Sequence, residues 1–435
     1  MKESKSGRRA FIKKGSAAIA GSTVLPSLPV DLSAYVGGSD QIRVGLIGCG
    51  NRGAGAAVQA LQATKSTKLV AMGDTFRDRL DKSYLAILDN VDAAQVDVPE
   101  ANKFVGFDAY QKVIELSDAV LLVTPPPFRP MHFEAAVQAD KHVFMEKPLA
   151  VDVPGYHKIM EVSKIADQKK LTVVVGLQNR YKKAYQLLVD QIRSGVVGDI
   201  SSIAVYYCVG APVIHQRKPG QTEMEYQMRN WRYFTWLWGG QLAGQSIHPI
   251  DAMNWLMQDY PVVAKGLGGR QTFSGPNQGN TYDHHFVEFE YPNGAKMNVQ
   301  SLNINNCWRR IGWDIKCVSG SADEKSKIYD NQKNVVWRHD DRKDPNPYQV
   351  EHDIFFDSII NNKHQNDTEW GANSTLTTIM GRMAMHSGQI LQLDEVLNSK
   401  RSILPAELSW EAQMPDVPDE TGNYPIPMPG VTNVL

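Results

Sequence analysis

Six residues limit what this chain can fold into more than any others: Gly48-Cys49-Gly50-Asn51-Arg52-Gly53. They fit the spacing G-x-G-x-x-G, which is a weak signal alone. The flanks supply the context it needs. The stretch QIRVGLIGCGNRGAGAAVQAL (41–61) reads as strand, glycine turn and helix. Such a turn lets the backbone approach a pyrophosphate, whose charge then sits at the positive end of the helix. Asp74 closes a second strand, TKLVAMGD (67–74). An acid there accepts hydrogen bonds from adenine-ribose hydroxyls and repels a 2′-phosphate. The expected cofactor is NAD, with NADP left open by the nearby Arg77.

The pattern beyond residue 74 repeats strand and helix. DAVLLVTPPP (118–127) reads as a buried strand stopped by prolines, and PMHFEAAVQADK (130–141) as a helix. HVFMEKP follows as a strand, then a helix over 153–168, then the strand LTVVVGLQ (171–178). This alternation predicts an α/β fold with a parallel sheet and helices on both faces. After residue 178 the texture changes. DHHFVEFEYPNGAKMNVQSL reads as a hairpin turned by Pro292-Asn293-Gly294. Further strands near 201–209, 262–271 and 311–318 predict one antiparallel or mixed sheet. Helices are expected over 181–195, 348–362 and 373–393, with an extended Pro-rich tail. The expected divisions are 1–38, a leader and linker; 39–177, the dinucleotide domain; and 178–435, a substrate and oligomerisation domain.

In an open parallel sheet, ligands bind beyond the carboxyl ends of the strands. The glycine turn, Thr124 and Pro125, and MEKP at 145–148 therefore converge. Lys147 would reach the nicotinamide end, where an ammonium stabilises a developing oxyanion and, partly buried, relays a proton. Glu146 would orient it. Local sequence alone supports equally a Glu-Lys pair that caps the strand at the surface.

GLIGCGNRG, VTPPPFRPMHFEAAVQADKHVFMEKPLAVD and GGQLAGQSIHPIDAMNWLM together resemble the glucose–fructose oxidoreductase/inositol dehydrogenase (Gfo/Idh/MocA) family, in order, from residue 41 to about 395. The resemblance implies an N-terminal Rossmann domain and a C-terminal α/β domain with a large open sheet. It also implies bound NAD(H) or NADP(H) and hydride transfer on sugars, polyols or their derivatives. The family lysine maps to Lys147. The family motif D-x-x-x-H maps to 244–248, with His248 as the acid/base histidine and Gly244 where the acid would stand. Gln245 is a partial substitute. His248-Pro249 suits a helix start, whose dipole would keep the imidazole neutral.

Arg180 and Tyr181, with Asn179, end the last parallel strand and are candidates to face the substrate; an ion pair between domains is the alternative for Arg180. RNWRYFTWLWGG (229–240) offers Trp231 as a sugar-stacking ring, against core packing for the run as a whole. Asp283, His284 and His285 suggest a metal site, but adjacent histidines on a strand point to opposite faces, so no metal is expected. Cys49, Cys208, Cys307 and Cys317 have no pairing or zinc spacing and read as free thiols.

Charged residues make up 21% of the chain and the formal net charge is −1, so no nucleic-acid partner is expected. No apolar run suits an integral membrane segment. Arg8-Arg9, with Phe11, Ile12 and Lys13 and a mildly apolar stretch behind them, resembles a twin-arginine export signal. That implies a periplasmic protein carrying its cofactor. Three functions fit: a carbohydrate oxidoreductase; an NAD-dependent glycosidase cycling through oxidation, elimination, hydration and reduction; and a non-catalytic sugar-binding relative. A broad sheet with one open face predicts a homo-oligomer.

Overall fold

The computed structural model describes residues 41–435. The arginine pair and the export segment expected over 1–38 lie outside the described residues.

Six strands form the first sheet: β1 (Ile42–Ile47), β2 (Thr67–Asp74), β3 (Lys103–Val105), β4 (Ala119–Leu122), β5 (His142–Glu146) and β6 (Val173–Gly176). Their order is β3-β2-β1-β4-β5-β6, and every pair is parallel. Helices α1 (Asn51–Ala63), α2 (Arg77–Leu88), α3 (Ala109–Leu116), α4 (Arg129–Gln138) and α5 (Val153–Gln168) connect or follow them. Alternate residues of one strand enter different cores. Val143 and Met145 pack with α4 and α5, whereas Phe144 joins Ala56, Ala60 and Leu80 of α1 and α2. Burial on both faces explains why these strands are apolar almost without a break. Strand order reverses between β1 and β4, which opens a crevice at their carboxyl ends.

The second sheet has nine strands: β7 (Ile200–Val209), β8 (Val263–Gly269), β9 (His284–Glu290), β10 (Lys296–Asn303), β11 (Arg310–Cys317), β12 (Gly320–Asp323), β13 (Lys327–Asp330), β14 (Val335–Arg338) and β15 (Leu391–Gln392). The order is β14-β13-β12-β11-β7-β10-β9-β8-β15. Only β7 and β10 pair in parallel, so the sheet is mixed. Val287 and Phe289 of β9 are fully buried, while Phe286, Glu288 and Glu290 are only half-buried.

Helices α6 (Lys183–Arg193), α7 (Glu223–Arg229), α8 (Thr235–Trp238), α9 (Ile247–Met257), α10 (Pro347–Ile360), α11 (Thr368–Ser387) and α12 (Leu393–Leu397) complete the chain. The helix expected over 373–393 begins earlier and stops at Ser387, because Gly388 turns left-handed at φ 70°. Helix α11 is buried almost all round. It packs on α5 and on β8 and β9, so the apolar sides of both sheets share one core. Strands β3 and β12–β15 and helices α3, α7, α8 and α12 escaped the sequence reading. They are short, and GSAD and KIYD carry too little apolar alternation to stand out.

Candidate functional site

A cleft of about 840 Å³ lies at the carboxyl ends of β1, β2, β4 and β5, toward the upper end of the roughly 300–1,000 Å³ typical of ligand pockets. The first sheet contributes the glycine turn, Asp74, Thr124, Pro125, Glu146 and Lys147. The second half contributes Tyr207, Trp231, Arg232, Trp238, Gly244 and Gln245.

The turn is shaped for close backbone approach. Gly48 has φ +100°, and an ideal β-carbon there would lie 2.6 Å from the Thr124 nitrogen. One on Gly53 would lie 2.0 Å from the Gly48 oxygen, so α1 packs against the turn only because both residues lack side chains. No side chain caps the first turn of α1, whose N-cap is Gly50. Its amides remain available to an anion in the cleft, which fits a dinucleotide pyrophosphate. Asp74 ties β2 to this turn, accepting from the Cys49 amide at 2.7 Å and the Phe76 amide at 2.9 Å. Burial pushes its carboxyl up, and those amides pull it back. The Thr124 carbonyl accepts from both Arg129 terminal nitrogens, at 3.0 and 2.9 Å. The Arg129 guanidinium is buried, which pushes it down to about 10.

Lys147 donates from Nζ to the Gly244 carbonyl at 2.7 Å. Burial lowers its ammonium to about 8, with Glu146 opposing and Arg232, Arg129 and Arg52 adding repulsion. Glu146 does not take the orienting role expected of it. It pairs with Arg52 of the glycine turn, and the Gly244 backbone holds the lysine instead. Arg52 also reaches the fully buried Glu351 at 3.3 Å and lies over the Tyr348 ring. Burial and the Glu146 charge drive the Glu351 carboxyl well above its ordinary range, against Arg52. A lone Glu inside the apolar helix α10 was the available signal for this pair.

His248 does not open an isolated helix. A π-turn over Leu242–Ser246 runs directly into α9. The imidazole sits well below its usual range because it is desolvated and because Lys147 and Arg52 repel a second positive charge. The expected neutrality is present, but its cause is burial. His248 is not among the cleft-lining residues, and its Nδ1 is buried without a hydrogen-bond partner. Gly244 cannot carry a side chain in this packing: an ideal β-carbon would lie 1.8 Å from Trp238 Nε1. The indole occupies the space an acid would need. Gln245 lines the cleft and lies 3.4 Å from Asn303 Nδ2.

Two candidates are placed elsewhere. Arg180 forms a bidentate pair with the buried Asp251, at 2.8 and 2.9 Å, and lies over the Trp370 ring. Tyr181 is buried and donates to Asp367. Neither lines the cleft; a buried carboxylate claims each, and the pairs join the turn after β6 (Gln178–Tyr181) to α9 and to the N-cap of α11. Asp251 of α9 therefore answers Arg180. Trp231 is half-buried and lines the cleft, Phe234 and Trp236 are core, and Trp238 is buried but borders the cleft. Asp283 accepts from the amides of Gln271, Thr272 and Phe273, fixing a loop. Among the described residues no group of three or more His, Cys, Asp or Glu is placed to hold a metal. The four cysteines are free thiols.

Sequence reasoning missed Arg232, Tyr207 and Trp238. A single arginine inside an aromatic run was the signal for the first; the others needed the second sheet in place.

Residues 42–177 match the GFO_IDH_MocA oxidoreductase family, described as an NAD-binding Rossmann fold, and residues 185–322 match the GFO/IDH/MocA C-terminal domain. Inositol 2-dehydrogenase 3 of Saccharopolyspora erythraea is 27% identical over 278 residues, 63% of this chain and 70% of that protein. The 2,7-anhydro-N-acetylneuraminate hydratase of Escherichia coli K12 is 28% identical over 189 residues, 43% of this chain and 46% of that one. In fold, the chain is similar to scyllo-inositol dehydrogenase from Lactobacillus casei, solved with bound NAD(H) and scyllo-inositol. The TM-score is 0.61 at 19% identity, covering 81% of this chain and 99% of that one.

Proposed function

The chain belongs to the GFO/IDH/MocA family of NAD-binding oxidoreductases, and on that premise we propose that it moves a hydride between a bound nicotinamide and a ring or chain hydroxyl of a carbohydrate or polyol. One observation carries the proposal: a desolvated lysine, Lys147, held on the Gly244 carbonyl in the same cleft as an uncapped dinucleotide turn. The NAD ring supplies the hydride acceptor. Lys147 takes the hydroxyl proton, and its ammonium near pH 8 exchanges that proton readily. His248, half-buried and held neutral beside the Lys147 charge, is the second proton-handling group. The Arg52–Glu146 pair stiffens the turn beneath the reacting atoms.

Purified protein is mixed with NAD and a panel of sugars and polyols, and absorbance is followed near 340 nm. Reduction by one substrate class, lost in Lys147→Met, is the expected result. No reduction with any carbohydrate or polyol would refute it.

A second reading, net hydration or glycoside cleavage with NAD as an internal redox carrier, is favoured by the hydratase relative. Release of a chromogenic group from aryl glycosides, dependent on NAD, separates it from the first. The Arg8-Arg9 segment supports export to the periplasm by the twin-arginine route, tested by loss of export in Arg8→Lys/Arg9→Lys. Exposed Leu267, Ile311 and Trp308 on or beside the second sheet support a homo-oligomer, tested by light scattering.

A further inference from the structure

The cleft is strongly unbalanced in charge. Eight cationic side chains and three carboxylates line it. Each carboxylate is already answered: Glu146 by Arg52, Asp78 by Arg229, and Asp74 by backbone amides. The imbalance therefore faces whatever enters. Part of it suits a dinucleotide pyrophosphate, which the glycine turn places on the first sheet. Arg232 belongs to the other side. It stands just before α8 and lines the cleft with Tyr207 of β7.

No hydrogen bond or ion pair to the Arg232 guanidinium is found among the described residues. Its one defined contact is the Trp231 ring, 5.2 Å from centroid to Cζ. Among the cations it depresses the Lys147 ammonium most, so it sits at the reacting end. No acid stands at Gly244 of the same cleft either, because Trp238 fills the space a side chain there would need. Arg232 is exposed to solvent and has no counter-charge from the described residues, so a ligand oxyanion reaching it would form a charge-assisted hydrogen bond.

We propose that the substrate is an anionic carbohydrate, a sugar acid or sugar phosphate, whose oxyanion is bound by Arg232 while its reacting hydroxyl lies at Lys147. This rests on the oxidoreductase reading for the hydroxyl's role, but the anion subsite stands on binding alone. The planar guanidinium suits a bidentate carboxylate or phosphate, and Trp231 holds it in place. Arg232 is thus a specificity residue, and no covalent step passes through it.

The test measures binding and turnover separately on the full protein with NAD. Calorimetric titrations use glucuronate, gluconate, glucose 6-phosphate and glucose. At least one anion is expected to bind tenfold or more tightly than glucose, with an affinity that falls as salt rises. The pattern among the anions distinguishes carboxylate from phosphate. Arg232→Met should remove the discrimination and Arg232→Lys should keep part of it; a melting curve for each variant checks the fold. Equal binding of charged and neutral ligands, no binding of any anion, or discrimination intact in Arg232→Met would overturn the proposal. Anion binding with no change at 340 nm would instead count against the oxidoreductase reading and leave the subsite standing.

Discussion

Lys147 and His248 have different reasons for being ready to handle a proton. Lys147 is poised near pH 8, while His248 is held neutral by burial and by two neighbouring cations. Their pH signatures therefore separate. If Lys147 accepts the proton, the oxidation rate rises with pH as the ammonium empties and levels off above about 8. No limb should appear near 6.5, because His248 is already unprotonated there. Single-turnover reduction followed near 340 nm across pH 5.5–10 checks both statements (the pH values being roughly the span between ordinary carboxylate and lysine titration). Lys147→Met should lower the rate by roughly 10²–10⁴-fold, the usual worth of a positioned proton-transfer group. Gly244 makes a second case at this scale. Gly244→Ala drives a methyl into a buried indole, and overpacking of this kind costs about 1–3 kcal/mol. A urea midpoint unchanged from the parent would show that Trp238 yields freely.

At the scale of elements, the glycine turn is tied to two others through Arg52: β5 by Glu146 and α10 by Glu351. Arg52→Met leaves Glu146 without its ion-pair partner and Glu351 without a hydrogen-bond donor, and breaking a buried pair costs about 3–5 kcal/mol. Arg52 is partly exposed, so the lower end is expected. Glu351→Gln should cost far less, because burial already favours the neutral acid there. Denaturant midpoints for the two variants test that asymmetry; equal losses would mean Glu351 is charged. The alternating strands, the glycine turn and the 283–302 hairpin were legible from period and turn residues. The helix start at His248-Pro249 was legible too, since α9 begins at Ile247; the π-turn over 242–246 that runs into it was not. For Arg180 the ion-pair alternative is the one found; the sequence could not choose it, because its partner Asp251 is seventy-one residues away and nothing local announces the pair.

Across the whole molecule, α11 inserts between the layers and merges their cores. Phe289 of β9 lies against Gly381 of this helix. Phe289→Ala should cost about 3–5 kcal/mol, the usual loss for a buried Phe. With one shared core, tryptophan fluorescence and bound-NADH fluorescence should fall in a single coincident transition. Two separated transitions would mean the halves unfold independently. The family, the cofactor turn and the lysine at the end of β5 followed from sequence alone, because local spacing carries them: glycines at fixed offsets, apolar runs of strand length, a basic residue where a strand ends. The partners of those residues did not follow. That Lys147 rests on the Gly244 carbonyl, that Trp238 takes the place of an acid, and that Arg232 enters the cleft unpaired were decided by contacts between distant segments. Such contacts form only when two sheets close on one core, and no period within a single segment encodes them.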